Sequence, residues 1–273
     1  MTVPAGAATA GSRLPASRPV RIALLTVTGA LVVAFVLELI WLWGYVDSQD
    51  AIDVDRVYYA SVGQRWLDSG EFYTARQLDG PYVVLPNVDN LYPPTAIPFM
   101  VAAVMLPALL YYLIPLGTTA LLVAWWRPAA WTWPLLALLL AWPRGVSNII
   151  YGNSDIWIQA AIGGGLLVGF PALLVLMKPS VLPFAAAGIR HRSFWVGLAL
   201  AALASLLVLD LWQQYFVAIG NSDAEWYYSL EDTPPYFLPI VAWLGRRDGG
   251  FASFGELVAW RPAWPSRRRS TSA

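Results

Sequence analysis

The stretch Ile22-Ala-Leu-Leu-Thr-Val-Thr-Gly-Ala-Leu-Val-Val-Ala-Phe-Val-Leu-Glu-Leu-Ile-Trp-Leu-Trp43 decides the class of the fold. A bilayer core about 30 Å thick needs roughly 20 helical residues, and this run supplies them with a single acid, Glu38, toward one end. A signal-peptide core is shorter, about 7 to 15 residues, and ends at small residues. This run ends instead in Trp41, Trp43 and Tyr45, rings that favour the headgroup layer. It is therefore read as a retained first membrane helix. Residues 1–21, rich in Ala, Ser, Pro and Gly with Arg13, Arg18 and Arg21, are expected to form a disordered cytoplasmic tail.

The rest of the chain has the same solvent. Of 273 residues 58% are hydrophobic and only 12% charged, outside the range of soluble domains. Fifteen Trp and thirteen Tyr imply interfacial belts. The formal net charge is zero, so no global field points to nucleic acid. With no Cys and one His, His191, the chain lacks the donors for disulfides, thiolate zinc sites, Cys nucleophiles or multi-His metal cages. No metal or other cofactor is expected. Any proton transfer at an enzyme site falls to carboxylates.

Residues 46–92 interrupt the apolar pattern with eight acids against three basic residues, Arg56, Arg65 and Arg76, and are assigned to the external side. After Pro93-Pro94 lipid-like composition returns over 95–126, 131–142, 156–170, 171–189, 194–219 and 235–244. Pro98, Pro107, Pro115, Pro134, Pro171, Pro179 and Pro183 fall within or at the ends of these runs and predict kinked or broken helices. Broken helices at membrane depth need neighbouring protein or a polar cavity to satisfy the freed backbone groups. The arginines at 190, 192, 246, 247, 261 and 267–269 are assigned to the cytoplasm, and 221–232 to the outside. The fold class is all-α, a polytopic bundle of roughly six to eight crossings. Its membrane domain spans 22–245, followed by a basic cytoplasmic tail, 246–273, with 266–273 disordered.

Within the external segment Val54, Tyr58, Val62 and Trp66 recur every fourth residue, the signature of one helical stripe. An amphipathic helix is predicted along the membrane surface, stripe down, with Asp53 as N-cap and Gly70 as stop. Asp53 and Asp55 then sit at its amino end, where the helix dipole and Arg56, folded back, favour their ionised form. Either one could take a proton from a sugar hydroxyl, or both could simply cap a solvated helix. Residues 147–155 read as a compact polar loop turning at Gly152, either a plain external turn or a place where Asn153 and Asp155 bind a headgroup or sugar. Lys178 lies inside an apolar run. An ammonium there costs about 2.5 to 3.5 kcal/mol on insertion scales and calls for an anion, a wet cavity or escape to the interface. A phosphate is the favoured anion, with Arg144 a second external cation.

The motifs Asp53-Val-Asp55-Arg-Val-Tyr58-Tyr59, Gly70-Glu-Phe-Tyr73, Leu91-Tyr92-Pro93-Pro94, Gly152-Asn153 and Lys178-Pro179, in this order, resemble glycosyltransferase family 87, long known as domain of unknown function 2029. That family belongs to the GT-C superfamily of polytopic enzymes and includes polyprenol-phosphate-mannose-dependent mannosyltransferases. The likeness runs over roughly residues 22–244, and the chain resembles a shortened member without most carboxyl-terminal helices. The resemblance implies an external site, a polyprenyl-phosphate sugar donor, a lipid or glycan acceptor, and inverting transfer without nucleotide or metal. It implies Asp55 or Asp53 as base, although neither falls in the family's register to Val57-Tyr58. Lys178 and Arg144 would hold phosphate, and Arg56, Tyr58, Tyr59, Tyr92, Asn153 and Asp155 would line the substrate site. Two other classes stay open: a transporter or flippase of lipid-linked sugars, and an inactive subunit of a glycan-assembly complex. A transporter should show repeats and several charges at mid-membrane, and this chain offers mainly Lys178.

Overall fold

The computed structural model describes residues 17–223 and 232–246. The chain is all helical over these residues, with several apolar helices and no strand, and its extended pairings are two isolated bridges, Tyr82 with Ser222 and Pro128 with Arg246. Most of the expected tails, most of the 221–232 connection, and the arginines at 247, 261 and 267–269 lie outside the described residues.

Helix α1, Arg18–Asp47, begins before the apolar run and absorbs the end of the expected tail, with a Pro in its first turn. Its 30 residues rise about 45 Å, more than a bilayer core. Leu25, Val33, Leu37, Ile40 and Trp41 are exposed, as a lipid-facing wall requires. The opposite side meets the protein, where Phe35, Leu39, Leu42 and Val46 pack with Val146 and Ile150.

Proline geometry explains most of the breaks downstream. A proline pushes the preceding residue out of the helical region, and Leu106 before Pro107 is extended at φ −87°, ψ 126°, which divides 95–126 into α4, Ile97–Met105, and α5, Ala108–Trp126. Trp142 before Pro143 is extended too, and α6, Trp133–Leu140, and α7, Pro143–Tyr151, meet at a bend of 58°. After α8, Asp155–Val168, the run 171–189 forms two 3-10 segments, Phe170–Met177 and Pro179–Gly188, joined at an extended Lys178. One break has no proline: α9, Arg192–Leu206, and α10, Leu209–Asn221, bend by 83°. The last described helix is α11, Phe237–Leu244. By length and composition two described helices are able to cross a membrane, α1 and α5, or four spans if each bent pair counts as one.

The surface helix, α2, runs Val54–Ser69, closed by Gly70 in the left-handed region at φ 72°, and a single turn, α3, follows at Ala75–Leu78. Its stripe does not face lipid as expected. Tyr58, Tyr59 and Val62 are buried in one core with Phe72, Phe99, Met100 and Ala103, so the short α4 serves as its floor. The approach is close because of Gly63, where an added Cβ would stand 2.3 Å from the Met100 carbonyl oxygen and 2.9 Å from Val104 Cγ2. The backbone oxygen cannot step aside. Gly63→Val is expected to destabilise the fold by about 1 to 3 kcal/mol or more, read as a lower midpoint of thermal unfolding in detergent, whereas Gly117→Ala, with nothing within 4 Å, should leave it unchanged.

Candidate functional site

The amino end of the surface helix meets the α7–α8 corner. The stretch 147–155, expected as a loop, is mostly helical here: 147–151 finish α7, Gly152 is its left-handed cap at φ 70°, and α8 starts at Asp155. Gly152 has a second reason to lack a side chain, since a Cβ would meet the Tyr112 hydroxyl at 2.6 Å and Asp53 Oδ1 at 2.9 Å. The corner is pinned from below by Tyr111, which donates to the Gly152 carbonyl at 2.9 Å.

Here the two candidate aspartates differ. Asp53 precedes the helix as expected, but its backbone is left-handed at φ 65° and its side chain makes no capping bond. The carboxylate accepts instead from Arg56, at 2.6 Å from Nε and 2.5 Å from Nη2, and from the Tyr112 hydroxyl at 2.7 Å. Both oxygens are engaged. The expectation that Arg56 folds back holds, and it does so onto Asp53. Arg56 and Asp53 form a closed structural pair.

Asp55 Oδ2 accepts one bond, from Asn153 Nδ2 at 2.6 Å, and Oδ1 takes none among the described residues. Burial raises the Asp55 carboxyl above the ordinary carboxylate range, and nearby Asp155 adds to the shift, while the Asn153 bond and the charges of Lys178 and Arg144 oppose it. Asp55 thus has one oxygen fixed, one open and a raised affinity for protons.

Asn153 links this acid to a second. Its Oδ1 accepts the Asp155 amide at 3.1 Å, while the Asp155 carboxylate accepts from Asn148 Nδ2 at 3.0 Å and from Lys178 Nζ at 2.6 Å. Lys178 also reaches the Tyr236 hydroxyl at 3.5 Å. The anion beside Lys178 in the chain is thus Asp155, a protein carboxylate, where the sequence pointed to phosphate or to snorkelling. Arg144 is half exposed and paired with Asp232 at 2.5 Å.

The remaining expected residues divide. Tyr59 and Tyr92 join hydroxyls at 3.0 Å, and each lies 3.4 Å from Ser154 Oγ, beside the Asn153 corner. Tyr58 points away and donates to the Asp89 carbonyl. Sequence reasoning missed Tyr112, Asn148, Ser154 and Tyr236, and it missed the buried Asp89, which pairs with Arg76 and accepts the Leu85 amide at 2.7 Å to fold the external segment. Gln77, fully buried and bonded to the Asn90 carbonyl and the Tyr82 hydroxyl, helps hold the same segment, and nothing in its polar sequence neighbourhood marks it as buried.

A cavity of about 610 Å³ opens between α1, α5, α6 and α8. Its walls are nearly all apolar, including Val32, Phe35, Val123 and Leu136, while Asn148, Asp155 and Gln159 bring polar groups to it. No family model matches the chain, and neither a curated protein nor a solved structure matches it.

Proposed function

We propose that the chain is a membrane glycosyltransferase of the GT-C type, similar to family 87, that moves a sugar, mannose by the resemblance, from a polyprenyl phosphate to an external lipid or glycan acceptor. The observation that carries this reading is Asp55, half-buried at the start of an amphipathic helix, one oxygen held by Asn153 and the other open. In the reaction the acceptor hydroxyl gives its proton to Asp55 as its oxygen attacks the anomeric carbon. The bond from that carbon to phosphate breaks, its electron pair leaves with prenyl phosphate, and the configuration inverts. Lys178 supports the leaving group by turning part of its charge from Asp155 to the phosphate. Tyr92 lines the sugar, its hydroxyl held from behind by the buried Tyr59 and Ser154, and Arg144 approaches the phosphate from the more exposed side.

In this reading the short helices pair into roughly six to eight crossings, with both termini cytoplasmic and the 46–92 segment outside, supported by the arginine distribution. Cysteine labelling checks the sidedness, because the chain has no Cys of its own. A cysteine at exposed Ser69 is expected to react with an impermeant maleimide in intact cells. Reaction only after permeabilisation would invert the topology and remove the external site.

Activity itself is tested by supplying labelled polyprenyl-phosphate sugars to membranes from deletion and complemented strains, with incorporation into lipid or glycan only in the complemented ones. The Lys178–Asp155 pair favours a second reading, since it accounts for the buried ammonium without any ligand. Under that reading the chain is an inactive subunit of a glycan-assembly complex, and no donor or acceptor gives transfer.

A further inference from the structure

We propose that the cavity between α1, α5, α6 and α8 binds the chain of an uncharged, hydroxyl-headed lipid, and selects it against an anionic one. Calling this lipid the sugar acceptor rests on the glycosyltransferase reading; the binding preference rests on the cavity alone.

The volume, about 610 Å³, lies within the roughly 300–1,000 Å³ of small-molecule sites. One wall is a single face of α1, where Thr28, Val32, Phe35 and Leu39 recur at helical spacing and run about 16 Å along the axis. A cavity of that direction and lining suits an acyl or prenyl chain lying beside the helix. The polar end faces the amino end of the surface helix, because Asn148 sits among α7 residues whose neighbours, Val146 and Ile150, pack with Val46 near the end of α1.

The chemistry of that end is set by which atoms are already taken. Gln159 Nε2 donates to the Pro235 carbonyl at 2.6 Å, and Asn148 Nδ2 donates to Asp155 at 3.0 Å. Each amide keeps its second N–H and its oxygen, and the buried hydroxyl of Thr119 in the same lining has no partner among the described residues, so donors and acceptors both stand open beside the Asp155 carboxylate. Among the described residues no cation lines the cavity, so a phosphate would be desolvated there without a counter-charge. A cationic head is disfavoured for a different reason: the Asp155 charge is balanced by Lys178 at 2.6 Å. A hydroxyl, which both donates and accepts without carrying charge, matches what is left. It would also stand close to Asp55, since Asn153 bonds both to Asp55 and to the Asp155 amide.

The test uses the full chain in lipid nanodiscs and a clickable diazirine analogue of a long-chain fatty alcohol. Saturable labelling is expected on α5 and α6 peptides, with unlabelled alcohol competing roughly tenfold or more better than the alkyl phosphate of the same chain. Ala120→Trp fills the cavity and should abolish the saturable component. If that variant fails to assemble, Gln159→Leu, similar in size but without the acceptor, should still label while losing most of the preference for alcohol. Labelling that rises without saturation, or alkyl phosphate competing as well as the alcohol, would overturn the proposal. Since binding is read without sugar transfer, a chain that selects the alcohol but transfers nothing sinks the enzymatic reading and leaves the lipid site standing.

Discussion

Asp55→Asn is expected to slow sugar transfer by about a hundredfold to ten-thousandfold, the usual contribution of a positioned base, while donor binding and the fold persist. The asparagine keeps the shape and one acceptor oxygen toward Asn153 but has no site for the acceptor proton. Asp53→Asn should behave differently. It weakens the bonds to Arg56 and Tyr112 that hold the start of the surface helix, so the loss appears in thermal stability first and in turnover only through displaced geometry. The pH dependence separates the two roles further. Burial places the Asp55 pKa above the ordinary carboxylate value, so transfer should fall as pH drops through that raised value. Asn153→Ala removes the hydrogen bond that opposes the shift and should move the acid limb to still higher pH. Stability has the opposite sign. A carboxyl whose folded pKa is raised contributes stability fully below its unfolded pKa, about 3.9, and loses it as pH rises through the folded value. At neutral pH Asp55 is therefore a burden on the fold, and Asp55→Asn is expected to raise the unfolding midpoint while abolishing activity. Asp55→Asn chain with near-normal transfer would move the base elsewhere, with Asp155 the next acid along the hydrogen-bonded path.

Local features of this architecture were legible before any coordinates. A four-residue stripe between an aspartate and a glycine located the surface helix; both ends fall beside Asp53 and Gly70, though only the glycine stop works by the expected local geometry. Proline announced the breaks at Leu106 and Lys178 through the same local geometry, whereas Pro143, which extends Trp142, was not among the prolines read as breaks. The break between α9 and α10 had no such warning, since Leu206, Leu207 and Val208 continue an apolar pattern without proline or glycine. Contacts across the chain were hidden in a deeper sense. Nothing in the apolar run around Lys178 says that its anion is 23 residues earlier, at a position that reads as an ordinary turn acid. Asp53 shows the limit of residue type: it is a good cap by composition, yet a left-handed backbone turns its carboxylate toward Arg56 and Tyr112. The distinction between a closed acid and an open one, on which the choice of Asp55 rests, exists only once the α7–α8 corner is brought against the helix.

Lys178→Met alone is expected to cost about 3 to 5 kcal/mol, because it leaves a buried carboxylate without its cation, and the outcome should be poor assembly in the membrane rather than a clean loss of binding. Asp155 is well shielded, with side-chain exposure of 6% against 19% for Lys178, so water compensates little for the missing charge. That single variant therefore cannot by itself tell a phosphate ligand from a structural pair. The double variant Lys178→Met, Asp155→Asn can. Replacing both partners removes the unpaired charge, keeps the volumes close and leaves Asn148 a neutral partner at residue 155, so most of the lost stability should return. Thermal unfolding of the four chains forms a double-mutant cycle, and a coupling close to the whole cost of the single change establishes the pair. Donor binding in the rescued double variant then reads Lys178 as a phosphate ligand. A well-assembled double variant that binds polyprenyl phosphate more weakly than the unaltered chain shows that the ammonium serves the donor as well as Asp155. Unchanged donor affinity would restrict Lys178 to holding Asp155 and the corner above it, and the phosphate would then have to be met by Arg144, released from Asp232.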